Sequence, residues 1–307
     1  MDLLGGLLFV PSIICLLMAL QWGGTTYAWS NARIIVLFVL FGVLLFAFIG
    51  VQIWKGDEAI VPPRIAAQRS MAFGSIFAFC IGAAFFLMVY YLPVYFQAIK
   101  NVSALQSGIN VLPLILSQVV GTILAGALTS KFGYYMPFVV LSTIFTSIGA
   151  GIITLFKVDT PSKTWVGYQI VFGLGAGFGF QQVTLAAQTV LDMKDVPTGT
   201  AMVMFVQLLG GALFVSVGEN VFTNHLIANI ISARVPGLDP KVIVATGVTE
   251  LRKLVQPEFL GSVLEAYNEA LLKTFQVALI MGCLTLLGVV GMEWKSVRGN
   301  GLGAVAV

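Results

Sequence analysis

The 307-residue chain is 58% hydrophobic and 9% charged, with a formal net charge of +3. Soluble domains carry about 25% charged residues, so this composition excludes an ordinary water-soluble protein and predicts an integral membrane protein. The sixteen basic residues are scattered, which argues against a nucleic-acid partner, since proteins of that class cluster their lysines and arginines.

The apolar residues are gathered into windows of about 20, the length that a helix needs to cross a hydrocarbon core of about 30 Å. These windows do not alternate polar and apolar residues, as the strands of a membrane barrel do. We therefore predict an all-α, polytopic membrane protein with about eight transmembrane helices. In chain order, the predicted spans are residues 3–21, 33–53, 71–96, 105–129, 136–156, 165–190, 199–222 and 272–292.

The longest polar stretch, residues 223–271, separates the last two predicted spans. It contains two patterns of helical spacing, which predict an amphipathic hairpin that lies on the membrane or covers the bundle. Asp239 and Pro240 are typical of the start of the first of these helices. The first pattern comprises Val244, Val248, Leu251 and Val255, and the second comprises Phe259, Leu260, Val263, Leu264, Tyr267 and Leu271.

Lysines and arginines fall on both sides of an alternating eight-span arrangement, so the positive-inside rule alone leaves the orientation open. One side carries Lys55, Arg64, Arg69, Lys131, Lys194, Lys295 and Arg298, and the other carries Arg33, Lys100, Lys157, Lys163, four more in the long polar stretch and Lys273 just after it. Long loops weigh little on insertion, which favours a cytosolic position for the first group. Asn101 begins a glycosylation sequon very close to a predicted span.

Polar side chains inside the spans carry most of the functional information, because a polar group in hydrocarbon is costly unless it is paired or faces water. The candidates for lining a substrate path are Gln181, Gln182, Gln188, Gln207, Gln118, Asn110 and Tyr91. Successive helical residues are 100° apart, so at most one of Gln181 and Gln182 points inward. Tyr90, Tyr91, Tyr95, Phe85 and Phe86 either stack on flat apolar molecules or form an interfacial belt against lipid.

Glu219 is the one acidic residue embedded in an apolar span. It is a candidate for proton coupling, and the alternative is a structural role near the outer end of its span, where it reaches water. The chain has no zinc-binding pair of histidines, and its one histidine, His225, has no evident catalytic partner. Cys15, Cys80 and Cys283 fall inside spans and are interpreted as packing thiols. We therefore predict no enzyme activity, catalytic residue, metal site or cofactor.

Glycines and prolines indicate closely packed helices. Gly173 with Gly177, and Gly175 with Gly179, recur at four-residue spacing, which indicates either static packing or helices that slide past each other. Pro11, Pro93 and Pro113 interrupt apolar runs and are expected to kink them. Kinked, glycine-faced helices with a few interior amides favour a transporter that rocks around a central site.

The turn between the fourth and fifth spans carries a recognisable motif. Gly126, Leu128, Ser130, Lys131 and Gly133 resemble the Gly-x-Leu-x-Asp-Arg-x-Gly loop of the major facilitator superfamily, with serine in place of the acid and lysine in place of the arginine. Gly126 is expected to let two helices approach, and Gly133 to adopt a positive φ that reverses the chain. Lys131 lies near a helix C-terminus, where the helix dipole favours a cation.

Three further stretches are similar to the fourteen-span drug:proton antiporter branch of that superfamily, in particular to fungal multidrug and secondary-metabolite efflux pumps. They are LLMALQWGGTTYAWSNARII at 16–35, VYYLPVYFQAIKNVSALQSGINVLP at 89–113, and GLGAGFGFQQVTLAAQTVL at 173–191. The resemblance implies two linker helices in 1–54, a cytosolic loop in 55–70 and five helices of the C-terminal half in 71–222. It further implies an external loop in 223–271, the last helix in 272–292 and a cytosolic tail in 293–307.

By the same resemblance, six N-terminal spans are missing, and the chain is a fragment, a gene with a misassigned start or a degenerate gene. The implied function is proton-coupled export of small amphipathic organic compounds, such as drugs, toxins or secondary metabolites, from the plasma membrane or the vacuolar membrane. The implied partners are the lipid bilayer, protons, and either the missing half or another copy of the chain. The alternative is a non-transporting membrane subunit or a degenerate remnant of such a carrier.

Overall fold

The computed structural model describes residues 2–233 and 255–299. Eight helices within these ranges are long and apolar enough to cross a membrane, which confirms the predicted fold class and the number of spans. The helices are α1 (Leu3–Trp22), α2 (Ala32–Lys55), a short α3 (Pro63–Ala66), α4 (Arg69–Ala98), α5 (Ala104–Phe132), α6 (Met136–Ile153), α7 (Ser162–Val190), α8 (Val196–Ala233) and α9 (Leu260–Gly291). Pro11, Pro93 and Pro113 lie inside α1, α4 and α5, which continue past them.

Helices α4 to α9 form a bundle, in which the three helices α4, α5 and α6 correspond to the three helices α7, α8 and α9. Helix α4 packs mainly on α8 and α9, and α7 packs mainly on α5 and α6. Exchanging α4 with α7, α5 with α8, and α6 with α9 therefore maps one set of contacts onto the other. Repeats of three helices within a six-helix half are typical of a large class of secondary transporters.

The four-residue glycine pairs in α7 face two different neighbours. A Cβ atom at Gly177 would overlap the carbonyl oxygen of Gln118 on α5, and one at Gly175 would lie 2.7 Å from the carbonyl carbon of Phe145 on α6. At this close approach the Thr122 hydroxyl donates to the Gly177 carbonyl at 3.1 Å. The missing side chains thus allow two backbone contacts at once, which favours the packing interpretation of these glycines.

Helices α1 and α2 pack on each other and reach the bundle through α8. Asp2 joins the start of α1 to the end of α2, because its carboxylate accepts hydrogen bonds from the Gly5 amide, the Gln52 side chain and Lys55, each at 2.8 Å. The bonds from Lys55 and Gly5 hold the pKa of Asp2 well below its ordinary value. The first helix therefore begins at a capped and paired residue.

The same end of the bundle gathers the basic residues that the sequence assigns to one side. Arg64 makes a bidentate ion pair with Asp195, with N to O distances of 2.5 and 2.7 Å. The hydrogen bonds from Arg64 lower the pKa of the Asp195 carboxyl. Arg69 donates to the carbonyl of Gly291 at 2.8 Å. The Arg64–Asp195 ion pair joins the α2–α4 connection to the α7–α8 turn, and the hydrogen bond from Arg69 joins the start of α4 to the end of α9.

The last two helices extend beyond the bounds predicted for their spans. Helix α8 runs past residue 222 to Ala233, and α9 begins at Leu260 instead of at 272, so both ends of the predicted 223–271 loop belong to the long helices. The apolar stripes of these extensions pack on each other, as shown by Phe222 and Tyr267, whose ring centroids are 5.1 Å apart. The first amphipathic pattern, including Asp239, Pro240, Val244, Val248 and Leu251, lies outside the described residues apart from Val255, which is buried.

Candidate functional site

Glu219 lies on α8 beside the aromatic side chains of α4 and α9. The Tyr91 hydroxyl donates to Glu219 Oε2 at 3.1 Å, and the Thr223 hydroxyl is 3.5 Å from Glu219 Oε1. Tyr91 itself is 1% exposed, and its ring packs on Phe222. Within the described part of the chain, Glu219 forms no ion pair. An ionisable side chain inside a membrane span is a candidate functional residue.

An open cleft of about 690 Å³ reaches Glu219 from the side of α1. Volumes of 300 to 1,000 Å³ are typical of sites for drug-sized molecules. Four of the lining residues follow one stripe of α8, and aromatic residues of α1 and α4 face them. The walls include Ala212, Ser216, Glu219 and Thr223 of α8, Trp22 of α1 and Tyr90 of α4.

Gln182, a predicted path residue, does not fit that role in this structure. Its side chain is 0% exposed and lies in the contact between α5 and α7, where its oxygen accepts a hydrogen bond from Thr129 at 3.0 Å. Its side-chain nitrogen has no hydrogen-bond partner. Gln181 is exposed, which agrees with the prediction that at most one of the two neighbours points inward. Gln182 therefore joins two helices instead of lining an open surface.

The other predicted path residues lie at different helix–helix contacts of the bundle. Gln118 donates to Thr122 at 3.4 Å along α5, and the Asn110 carbonyl accepts a bond from Gln169 of α7 at 3.0 Å. Gln207 lies against α4, because a Cβ atom at Gly82 would overlap its carbonyl oxygen. Gln188 is half-buried on α7. The structure brings Gln118 and Gln182 to the contact between α5 and α7 and Tyr91 to Glu219, whereas only the backbone carbonyl of Asn110 meets α7 and its side chain accepts from Gln106 at 3.1 Å. It does not gather all of them into a single site.

The aromatic residues of α4 divide into buried side chains and one that faces the cleft. Tyr95 and Phe96 are fully buried, Phe85 is buried, and the Tyr95 hydroxyl donates to the carbonyl of Lys157 at 2.8 Å. Tyr90 alone among the predicted tyrosines is exposed, at 52%, and it faces the cleft. Sequence reasoning missed Trp22 and Ser216 as parts of this cleft, since the order of residues along one chain does not show which helix α1 meets.

The loop motif forms a turn that the C-terminal segment covers. Gly133 has a φ of 83° and ends α5, as the sequence predicts. Its carbonyl accepts a hydrogen bond from the Val297 amide at 2.8 Å, and the Arg298 guanidinium donates to the carbonyl of Lys131. The expected role of Gly126 is wrong within this chain, because a Cβ atom there would meet no atom within 4 Å. The approach of α7 to α5 is made at Gly121 instead.

Replacing Gly133 with alanine is expected to lower the free energy of unfolding by about 1 to 3 kcal/mol, because a positive φ strains any residue with a Cβ atom. The new methyl group would also lie 3.2 Å from Arg298. Gly126→Ala is the matched control, and it is expected to be neutral or stabilising, since the site is open and helical. Thermal unfolding of both variants in detergent measures the difference. Equal melting temperatures would contradict this account of the turn.

Comparison with family models gives no match. Curated relatives are nevertheless similar over nearly the whole chain. The chain is 55% identical to "Efflux pump aflT" of Aspergillus parasiticus over 98% of its own length and 58% of that protein, and 54% identical to "MFS-type efflux pump MFS1" of Trichophyton rubrum over 98% and 56%. It is 46% identical to "MFS-type transporter VdtG" of Byssochlamys spectabilis, covering 97% and 53%. The chain thus spans about half the length of the curated relatives it matches.

A solved structure shares the fold. It is the crystal structure of a bacterial homologue of the human lysosomal transporter Spinster, in an inward-facing and occupied conformation. The superposition has a TM-score of 0.54 at 16% sequence identity and covers 86% of this chain and 58% of that one. The helical bundle described above therefore has the same fold as most of that solved chain.

Proposed function

We propose that this chain, a major facilitator superfamily sequence that matches MFS-type efflux pumps over 98% of its length, forms one half of a secondary transporter that exports small amphipathic organic compounds. The predicted resemblance to this class of pump is confirmed by those relatives, which are named as pumps and transporters and not as enzymes. The observation that carries the proposal is their 46 to 55% identity across all eight spans.

The fold explains why a second half is needed in this proposal. Transporters of this kind hold the substrate between two halves that rock against each other. The bundle of α4 to α9 supplies one unit with its own internal repeat, and α1 and α2 lie beside it. The partner that completes the path is either the part of the pump that this chain does not match or another copy of the chain.

Glu219 is the proposed proton-coupling residue. Its carboxylate is half-buried, it is reached by the open cleft, and the nearby titratable side chains are Tyr90, Tyr91 and Tyr267. Protonation of a carboxylate in such a place changes how strongly it attracts water and ligands, so it couples proton entry to substrate release. Asn110, Gln118, Gln181, Gln188 and Gln207 remain the proposed polar residues of the substrate path, since each retains some exposure.

The chain is an integral membrane protein, and its eight spans require a bilayer. We place it in the plasma membrane, with the vacuolar membrane as the alternative, and with the Lys131 turn on the cytosolic side. The structure brings the basic residues Arg64, Arg69, Lys131 and Arg298 to one end, which supports that orientation.

A chimaera tests the proposed function. The part of the Aspergillus parasiticus pump that this chain does not match is fused to the chain, and the product is reconstituted into liposomes with a proton gradient. We expect the chimaera to take up a fluorescent amphipathic dye, driven by the gradient, and uptake by the 307-residue chain alone would identify another copy of the chain as the second half. A correctly inserted chimaera that moves no dye would overturn the proposal and favour a non-transporting subunit or remnant.

A further inference from the structure

A polar cleft of about 360 Å³ lies between α8 and α9, and it shares no lining residue with the cleft at Glu219. Its walls are His225 and Asn229 of α8 and Glu269, Leu272, Lys273 and Gln276 of α9. The two helices are joined here, because the side-chain amide of Asn229 donates to the carbonyl of Ala266 at 3.1 Å. The cleft is at the lower end of the size range of small-ligand sites, which is about 300 to 1,000 Å³.

The cleft lies at the level where one face of the hydrocarbon core ends. Helix α9 ends at Gly291, whose carbonyl accepts from Arg69 at the basic end of the bundle. The axial distance from Gly291 back to Lys273 is about 27 Å, at a rise of about 1.5 Å per residue. The hydrocarbon core is about 30 Å thick, so a bundle with its basic end in one headgroup layer has this cleft close to the other headgroup layer.

The two charged residues of the cleft have opposite signs and a defined order along α9. Lys273 is one helical turn nearer to the hydrocarbon core than Glu269, and both side chains are exposed. The Lys273 ammonium donates to Gln276 Oε1 at 3.4 Å, which directs it toward the core and away from the carboxylate. Within the described residues, Glu269 forms no ion pair. The cleft therefore presents a cation at its deeper end and an anion at its shallower end.

A zwitterionic phospholipid carries the complementary order of charges. Its phosphate is joined to the glycerol beside the acyl chains, and its ammonium group extends from the phosphate toward water. The phosphate would thus meet Lys273 and the ammonium would meet Glu269, both in charge-assisted contacts. His225 and Asn229 supply further hydrogen-bonding groups. An anionic phospholipid without the ammonium would bring a second negative charge to Glu269.

An apolar stripe continues from the cleft toward the hydrocarbon core. Ile280, Leu284 and Leu287 follow Gln276 on α9 at spacings of four, four and three residues, so they share its face of the helix. All three side chains are exposed. A phospholipid whose headgroup occupies the cleft would therefore have an acyl chain along this stripe.

We propose that the cleft between α8 and α9 binds the headgroup of one zwitterionic phospholipid. The phosphate lies at Lys273, the ammonium lies at Glu269, and an acyl chain lies along Ile280, Leu284 and Leu287. The bound lipid holds the long ends of α8 and α9 at a defined height in the bilayer. The site faces lipid, so its occupancy does not depend on transport.

Native mass spectrometry of the full chain tests this site. The chain is extracted from liposomes that contain equal amounts of phosphatidylcholine, phosphatidylethanolamine and phosphatidylglycerol with the same acyl chains. We expect one zwitterionic phospholipid to be retained about fivefold more than phosphatidylglycerol, the preference expected of one exposed charge contact. Lys273→Gln is expected to lower that retention by a similar factor. Equal retention of the three lipids by the unchanged chain would reject the proposal.

A gain of binding keeps the test decisive if Lys273→Gln folds poorly. Glu269→Lys makes the cleft cationic at both ends, so it is expected to retain phosphatidylglycerol in preference to the two zwitterionic lipids. Glu265→Lys is the matched control, because it makes the same change of charge at an exposed residue of α9 outside the cleft. It is expected to keep the preference of the unchanged chain. The same lipid pattern in both variants would assign the preference to surface charge and overturn the proposed site.

Discussion

Substituting alanine for glycine at two positions of α7 is expected to change stability in opposite directions. At Gly177 the new Cβ atom would overlap the Gln118 carbonyl and lie 2.9 Å from the Thr122 amide nitrogen, both of which are backbone atoms of α5. Helices α5 and α7 would have to separate, at a cost of about 3 kcal/mol or more. At Gly167 a Cβ atom meets nothing within 4 Å, so alanine is expected to stabilise the helix by up to about 1 kcal/mol.

Both variants lie in the same helix and carry the same chemical change, so helix propensity cancels in the comparison. Unfolding in mixed micelles, followed by circular dichroism, measures the two free energies. A larger residue at Gly173, whose Cβ atom would overlap Ser117 Oγ and the Leu114 carbonyl, is expected to act like Gly177→Ala. If Gly177→Ala is as stable as Gly167→Ala, the α5–α7 contact described above is wrong.

Glu219→Gln in the chimaera is expected to abolish accumulation driven by a proton gradient. A gradient of one pH unit stores about 1.4 kcal/mol per proton, which supports about tenfold accumulation at one proton per cycle. Glutamine keeps the size of the side chain and can still accept from Tyr91, but it cannot take up a proton. We therefore expect dye to equilibrate across the membrane in the variant, without any concentration above the external level.

Two further variants distinguish a role of Glu219 in proton coupling from a structural role. Tyr91→Phe removes the hydroxyl that lies 3.1 Å from the carboxylate but leaves the carboxylate in place, so accumulation is expected to persist. Glu265→Gln, on the exposed side of α9, is expected to transport like the unchanged chimaera. Full accumulation by the Glu219→Gln chimaera would show that the proton is carried by another group.

The sequence predicts those parts of the fold that the hydrocarbon core of the bilayer determines. Eight apolar windows give eight spans, because a backbone in lipid must satisfy its own hydrogen bonds within each helix. The bounds of α8 and α9 were missed because their extensions are amphipathic, and a fall in hydropathy resembles a loop. Phe222 and Tyr267 pack across these extensions, and such a pairing of distant segments cannot be read from one sequence.

Parts of the site could be predicted where local chemistry decides the structure. The positive φ of Gly133 follows from a reversal after a helix, and the different exposure of Gln181 and Gln182 follows from the 100° step of helical geometry. The burial of Gln182 against Thr129 could not be predicted, because a polar side chain in a span suits a helix contact as well as a substrate path. The bonds from Val297 and Arg298 to the α5–α6 turn likewise join residues more than 160 positions apart.

Helix α8 is long enough that a small tilt displaces its far end by several ångströms. Its 38 residues extend for about 57 Å, almost twice the thickness of the hydrocarbon core. A swing of about 5° around the Val196 end would carry the far end through about 5 Å. Since Glu219 lies on the same helix, a spin label at Ser232 is expected to report each tilt of α8 that accompanies events at the carboxylate.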